Sequence, residues 1–297
     1  MPISLRGDVT SAVIPAAGLG TRLRPLTNAF PKEMLPVGRL PVMAHVVAEL
    51  RGAGVTRAVF IVSEAKPQIR SYFGERFAED GDGMPPLECS YLIQNEQRGL
   101  GHAIGLAREW AEGNTFIVAF GDCIIESDRA VPPLQRLVDL HFRRNSSAST
   151  LVEEVGADKV SRYGIISPAR SESVTFDAEI ELQDIVEKPK AEDAPSCFAV
   201  AARWVLEPAI FDLLDAEFID PRGEINLTDA VRRLKQNGAS LWAAKLAGDE
   251  ARRDIGNFGT FFDAFVRAAM RDSEYGVEVT RTVHQELLRG KAAIDAG

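Results

Sequence analysis

In the first half of the chain, short β-branched and aromatic runs alternate with stretches whose apolar positions recur every three or four residues. Residues 11–16 (SAVIPA), 57–63 (RAVFIVS) and 115–120 (TFIVAF) each predict a buried strand, because a strand covered on both faces reads as a continuous apolar run. Met43, Val46, Val47 and Leu50 fall at i, i+3, i+4 and i+7, which is one face of a helix. Gly52 and Gly54 then stop it, as glycines past a helix end do. Ile69, Tyr72 and Phe73 predict a second short helix, and Ile104, Ala107 and Trp110 a third with a core-facing stripe. Strands alternating with helices imply β–α–β crossovers and a largely parallel sheet.

The second half is less regular. Residues 163–167, 181–187, 197–205 and 240–246 predict strands separated by turns, which favours antiparallel or mixed pairing there. Two helical stretches close the chain, at 261–271 and, more weakly, at 283–288. The expected fold is α/β: a Rossmann-like mixed, mainly parallel sheet flanked by helices over residues 1–257, followed by a helical C-terminal tail over 258–297. Phe258, Phe261, Phe262 and Phe265 crowd aromatics at the start of that tail, and Val266 and Met270 extend its apolar surface. Such a face either makes a contact between copies, in a homodimer or homotetramer, or merely covers the protein's own sheet.

Composition narrows the function. The 297 residues include 34 Lys plus Arg against 43 Asp plus Glu, a formal charge of −9, with 45% hydrophobic and 26% charged residues. Those proportions are ordinary for a globular protein and exclude disordered, collagen and coiled-coil classes. The negative excess argues against nucleic acid and anionic membrane as partners, yet a local cluster of cations can still hold a small anion. Cys89, Cys123 and Cys197 form neither a disulfide framework nor a C-x-x-C pair, and His45, His102, His141 and His284 show no metal-ligand spacing. No apolar run approaches the ~20 residues of a membrane span, and no basic segment leads into an apolar one at the start. A cytoplasmic location is the expectation.

The strongest local feature is Ala16-Ala17-Gly18-Leu19-Gly20-Thr21-Arg22-Leu23, directly after the first predicted strand. Glycines there let backbone N–H groups approach a ligand, and successive free amides form an anion-binding hollow. A dinucleotide fingerprint would need glycine where Leu23 stands, and no G-x-x-x-x-G-K-[ST] occurs. What remains is a glycine loop carrying Thr21 and Arg22 and followed by Pro31-Lys32, a combination suited to a polyphosphate. Alone, it serves equally well as a tight turn with solvated charges.

The sequence GLGTRLRP followed by FPKEMLPVGRLPV resembles the bacterial UTP–glucose-1-phosphate uridylyltransferases of the sugar-nucleotidyltransferase family. The resemblance continues through YLIQNEQRGLGHA (91–103), GDC (121–123), RYGII (162–166), DIVEKPKAEDAPS (184–196), GEINLTDA (223–230) and RRDIGN (252–257). It implies the nucleotide-diphospho-sugar transferase fold and the reaction of a nucleoside triphosphate with a sugar 1-phosphate, giving a nucleotide sugar and pyrophosphate with Mg²⁺. The substrates implied are UTP and glucose 1-phosphate. By the same resemblance, Ala17 and Gly18 meet the base through backbone groups, while Gly20, Thr21, Arg22 and Lys32 hold the triphosphate. Gln94 reads the base edge, and Gly99 marks a close backbone approach to the nucleoside. Asp122 and Asp254 match metal-binding aspartates, Gly164 and Glu187 sugar contacts, and Lys188 the lysine on the sugar phosphate. Arg22, Lys32, Asp122, Lys188 and Asp254 are thus the expected catalytic group.

The chemistry suits those residue types. A sugar 1-phosphate with a second pKa near ~6 is mostly a dianion at neutral pH, so its oxygen needs no general base. The difficulty is bringing it to the α-phosphorus of a polyanion, which calls for positioning, cation clamps and Mg²⁺. Each residue also has a plainer reading: Asp122 as a turn or helix cap, Glu187-Lys188 as a solvated strand end, Gln94 as a surface residue, Arg252-Arg253-Asp254 as a charge run. The sequence departs from the uridylyltransferase pattern at Cys123, where that group carries a second acid; the G-D-x form resembles the thymidylyl and other branches. A thymidylyltransferase, another sugar nucleotidyltransferase and a catalytically weak regulatory paralogue are the alternatives. A nicotinamide oxidoreductase is disfavoured by Leu23.

Overall fold

The structure, a computed structural model, describes residues 9–79, 83–170, 179–214, 219–220 and 223–295. Its first half runs β1 (Ser11–Pro15), β2 (Pro36–Val37), β3 (Leu40–Pro41), α1 (Val42–Gly52), β4 (Arg57–Val62), α2 (Pro67–Phe73), β5 (Arg76–Phe77), β6 (Leu87–Ile93), α3 (Leu100–Gly105) and β7 (Phe116–Ala119). The chain continues through β8 (Cys123–Glu126), α4 (Pro133–Arg143), β9 (Ala148–Glu154), β10 (Gly164–Pro168), β11 (Glu179–Glu187) and β12 (Phe198–Leu206). It closes with α5 (Leu227–Gln236), β13 (Leu241–Lys245), β14 (Ala251–Asp254), α6 (Phe258–Met270) and α7 (Gly276–Asp295).

Among the described residues ten strands form one mixed sheet in the order β10-β11-β13-β9-β12-β7-β1-β4-β6-β5. Strands β7, β1, β4 and β6 are parallel, with Val13 opposite both Val59 and Val118. That is the parallel sheet expected from the first half. In the second half β12 runs antiparallel to β7 and β9, β13 runs parallel to β9, and β10 and β11 add an antiparallel edge. The alternation of side chains along β1 explains the layers. Ala12 and Ile14 face a core with Val46, Val47 and Leu50 of α1 and Leu134 and Leu137 of α4. Val13 faces the opposite core with Ile104 of α3 and Leu227, Val231 and Leu234 of α5. The sheet is therefore covered on both sides, as a parallel sheet requires.

Two departures from the sequence reading concern helices. The third helix ends at Gly105, so Ala107 is buried from the following turns, and the half-buried Trp110 lies under the Arg57 guanidinium at 4.5 Å. The segment expected around 283–288 is part of the longer α7. The tail divides its surface. Phe261 and Ala264 pack with Leu23, Leu35, Val42 and Ile255 against the body of the protein, while Phe262, Phe265, Val266 and Met270 are exposed. Among the described residues no helix is long and apolar enough to cross a membrane.

Candidate active site

A cleft of about 450 Å³ opens beyond the C-terminal ends of β1, β6 and β7, where open α/β sheets gather ligands. Ala17, Gly18, Arg22, Lys32, Gln94, Gly99, Asp122, Gly164, Glu187, Lys188 and Asp254 all line it. Gly20 and Thr21 sit on the same loop but outside that lining. Gly20 instead makes the turn, with φ of 63° and its carbonyl accepting from Thr27 Oγ1 at 2.9 Å.

At one end two carboxylates meet because β8 and β14 form an antiparallel ribbon. Cys123 pairs with Asp254, and Ile255 N donates to Asp122 O at 2.9 Å. This ribbon brings Asp254 back beside Asp122. Close packing fixes the approach: a Cβ on Gly121 would lie 2.6 Å from Met43 Cε. Asp122 forms an ion pair with Lys32 Nζ. Burial works to lower the Lys32 pKa, but the charges of Asp122, Glu33 and Asp254 outweigh it and hold the ammonium well above its usual range. Burial likewise works to raise Asp122, and contact with Lys32 reverses the sign and lowers it. Asp254 moves the other way: burial and the neighbouring Asp122 charge raise its pKa. Two hard-oxygen donors, one destabilised as an anion by the other, are a donor set that suits a divalent cation completing its shell with phosphate and water. Arg22 reaches the same place, since a Cβ on Gly256 would lie 2.8 Å from Asp254 Oδ2 and 3.3 Å from Arg22 Nη2.

Beneath this end lies a pair that the sequence reading missed. Lys66 Nζ donates to both Glu33 oxygens at 3.0 and 2.8 Å and to Ala16 O at 2.6 Å. Glu33 is 1% exposed and Lys66 8%; burial pushes the Glu33 pKa up and the Lys66 pKa down. The pair ties the residue before Ala17-Gly18 to the residue after Lys32. A second buried cation, Arg203, holds Glu49 Oε2 at 2.6 Å and donates to Cys123 O at 2.9 Å, bracing the turn that presents Asp122. The Cys123 thiol is buried, and burial raises its pKa.

The end of the cleft at Gly99, where a base is expected, depends on glycine. Gly99 has φ of 94°, and a Cβ there would lie 2.7 Å from Ile225 O. Gly101 N donates to that same carbonyl at 2.7 Å, and Ile225 N donates to Arg98 O at 2.8 Å. The RGLG and GEIN motifs are thus two sides of one backbone zipper. Gln94 sits beside it, 4% exposed, and Gln97 Nε2 donates to Ala17 O at 3.1 Å.

The opposite wall is made by β10 and β11, which pair Gly164 with Glu187. Glu187 Oε2 accepts from Thr228 Oγ1 at 2.8 Å, and Glu187 Oε1 meets Lys188 Nζ at 2.9 Å. Lys188 adopts φ of 46°, a left-handed conformation that costs a lysine energy, while its N–H donates to Tyr163 O at 3.0 Å. Arg252 links this wall to the carboxylate ribbon: it stacks 3.9 Å from the Tyr163 ring centre and reaches Glu153 at 2.5 Å and Val200 O at 3.2 Å. Thr228 and Arg252 were legible only as members of motifs; their side-chain roles needed the fold.

The nucleotidyl transferase family profile matches residues 11–271. A UTP–glucose-1-phosphate uridylyltransferase 2 of Staphylococcus saprophyticus is 35% identical over 295 residues, covering 94% of this chain and 96% of that protein. A UTP–glucose-1-phosphate uridylyltransferase of Staphylococcus epidermidis is 34% identical over 292 residues, covering 93% and 98%. Among solved structures, UTP-bound UGPase from Acinetobacter baumannii superposes with a TM-score of 0.80 at 27% identity, over 93% of this chain and 98% of that one. A UDP-glucose pyrophosphorylase complexed with UDP-glucose gives 0.75 at 29% identity, over 86% and 97%. The chain belongs to the nucleotidyl transferase family and stands within it as a relative of the UTP–glucose-1-phosphate uridylyltransferases.

Proposed function

We propose that the protein transfers the uridylyl group of UTP to glucose 1-phosphate, forming UDP-glucose and releasing pyrophosphate. The observation that carries this reading is the meeting in one cleft of the Lys32–Asp122–Asp254 cluster with the Glu187–Lys188 wall. The first suits a polyphosphate with its cation, the second a phosphorylated sugar. Relatives bearing UTP and UDP-glucose in the same fold support it.

In this reading Ala17 and Gly18 face the base, Gln94 reads its edge, and Gly99 allows the nucleoside close to the backbone. Gly20, Thr21, Arg22 and Lys32 hold the triphosphate, with Gly20 also making the turn of their loop. Lys188 holds the sugar phosphate, and Gly164 and Glu187 the sugar hydroxyls. The dianionic sugar phosphate attacks the α-phosphorus in line and pyrophosphate departs; no side chain has to remove a proton. Asp122 and Asp254 would hold Mg²⁺, which when bound neutralises phosphate charge. The exposed face of the tail makes a homo-oligomer contact, and light scattering on a Phe262→Ser, Phe265→Ser double variant checks it: an unchanged mass in a folded protein removes that face from any such contact.

Pyrophosphate release across a panel of nucleotides and sugar 1-phosphates tests the activity. UTP with glucose 1-phosphate should be the best pair, dTTP poorer by a modest factor, ATP and GTP poor, and EDTA should abolish release until Mg²⁺ is restored. A methyl in a pocket is worth only ~1–3 kcal/mol, hence the modest margin over dTTP. Preference for dTTP would overturn the uridylyl assignment, and no release with any pair would overturn the enzyme.

A further inference from the structure

The Gln94 carboxamide has two partners, and both meet its nitrogen. Nε2 lies 3.3 Å from Gly99 O and 3.0 Å from His102 Nδ1. A carbonyl oxygen only accepts, so the atom facing Gly99 must be Nε2 rather than Oε1. The other amide hydrogen then points at His102 Nδ1, which must carry a lone pair; the ring's proton is on its Nε2. With both amide hydrogens used, the group Gln94 offers the cleft is Oε1, an acceptor. The backbone on which it rides is fixed, since Gln94 N donates to Val62 O at 2.8 Å. His102 is fixed too, one residue beyond the Gly101–Ile225 bond.

Nothing in the shape of a carboxamide tells its two ends apart; only its partners do. The contact with Gly99 is long, so the shorter bond to His102 is the stronger hold. We infer that His102 is a specificity-determining positioning residue: its Nδ1 lone pair keeps Gln94 turned with Oε1 toward the nucleobase, and so selects bases with a hydrogen on N3. This rests on the reading of the cleft as a UTP site. Uracil meets Oε1 with N3–H. Cytosine presents a bare N3, so two acceptors would face each other in a buried place, an arrangement a polar site rejects strongly.

The test compares kcat/KM for UTP and CTP in pyrophosphate release by the full-length protein. The wild type should prefer UTP by ~10²-fold or more. His102→Leu keeps the bulk and removes the acceptor; the preference should fall by about tenfold, through a higher KM for UTP, with the KM for glucose 1-phosphate unchanged. His102→Asn places Oδ1 where Nδ1 stood and should keep the preference within roughly threefold of wild type. If His102→Leu does not fold, His102→Gln serves in its place: it stays polar but carries its acceptor one bond too far, and should lose the preference. Unchanged discrimination in His102→Leu or His102→Gln overturns the inference, as does equal loss in His102→Asn, which would reduce the residue to packing. A wild type that takes CTP as readily as UTP overturns it as well. A wild type inactive with UTP but active with another nucleotide is a different failure, that of the function itself.

Discussion

The two ends of the cleft, which we propose take the triphosphate and the sugar phosphate and call the phosphate end and the sugar end, are built on opposite plans. The phosphate end is braced from below by buried charge: Lys32 on Asp122, Lys66 between Glu33 and Ala16 O, and Arg203 on the Cys123 carbonyl. The sugar end hangs on a turn. The Lys188 side chain is 44% exposed, its backbone is left-handed, and Glu187 and the Tyr163 carbonyl are its partners. The difference matches the demands of the reaction. Where charge must be stabilised in the transition state, rigid preorganised groups are worth most, because nothing then has to reorganise. Where a sugar phosphate has to enter and its nucleotide-linked product leave, an exposed and strained lysine can adjust.

That contrast can be broken at the braced end first. Lys66→Met leaves Glu33 buried without its cation, and breaking a buried pair costs about 3–5 kcal/mol; urea unfolding measures it. Adding Glu33→Leu should restore most of the loss. A change under ~1 kcal/mol, the scale of exposed pairs, would mean the end is not braced. Asp122→Asn should lower kcat by ~10²–10³-fold at saturating Mg²⁺. Retention of more than about a tenth of wild-type kcat would sink the assignment. Asp254→Asn should act similarly, and the double variant should fall far short of the product because the two act as a unit.

At the sugar end the effects are smaller and confined to one substrate. Lys188→Ala should raise the KM for glucose 1-phosphate by roughly 10–100-fold, the worth of a hydrogen bond to a charged group, and that for UTP much less. Equal rises would make the lysine a scaffold. Thr228→Val removes the donor to Glu187 and should raise the same KM by only ~2–10-fold, while Thr228→Ser should leave it near wild type.

What the sequence made legible followed from apolar burial and glycine. The parallel strands were readable because they are covered on both faces, and the phosphate loop because only glycine turns there. Elements held by polar partners were not. Strand β14 reads ARRD and has no apolar pattern; it is held by the ribbon and by Arg253 on Glu126 at 3.0 Å. Helix α4 hides its stripe because His141 occupies the position after Leu134, Leu137 and Val138, buried by bonds to Ser149 and Glu207. Strand β9 carries Ser149 and Thr150 directly after its first residue, and they look solvated in sequence, yet Thr150 Oγ1 donates to Arg203 O at 2.9 Å in the core. Glu33 and Lys66, 33 positions apart, gave no sign that each neutralises the other. Of the candidate site, most residues singled out by type line one cleft, whereas their partners (Lys66, His102, Thr228, Arg252) could be placed only by the fold.

The zipper between 98–101 and 224–226 has a consequence for how the two halves of the cleft report on each other. It makes the segment around Gly99 and the segment leading to Thr228 one mechanical piece, joined through both backbone groups of one residue, Ile225. A methyl group added at Gly99 would press on the Ile225 carbonyl, and segment 224–228 would have to yield, drawing the Thr228 hydroxyl from Glu187. The wall that holds the second substrate would thus register damage done beside the first. In this cleft, separation along the chain offers no insulation.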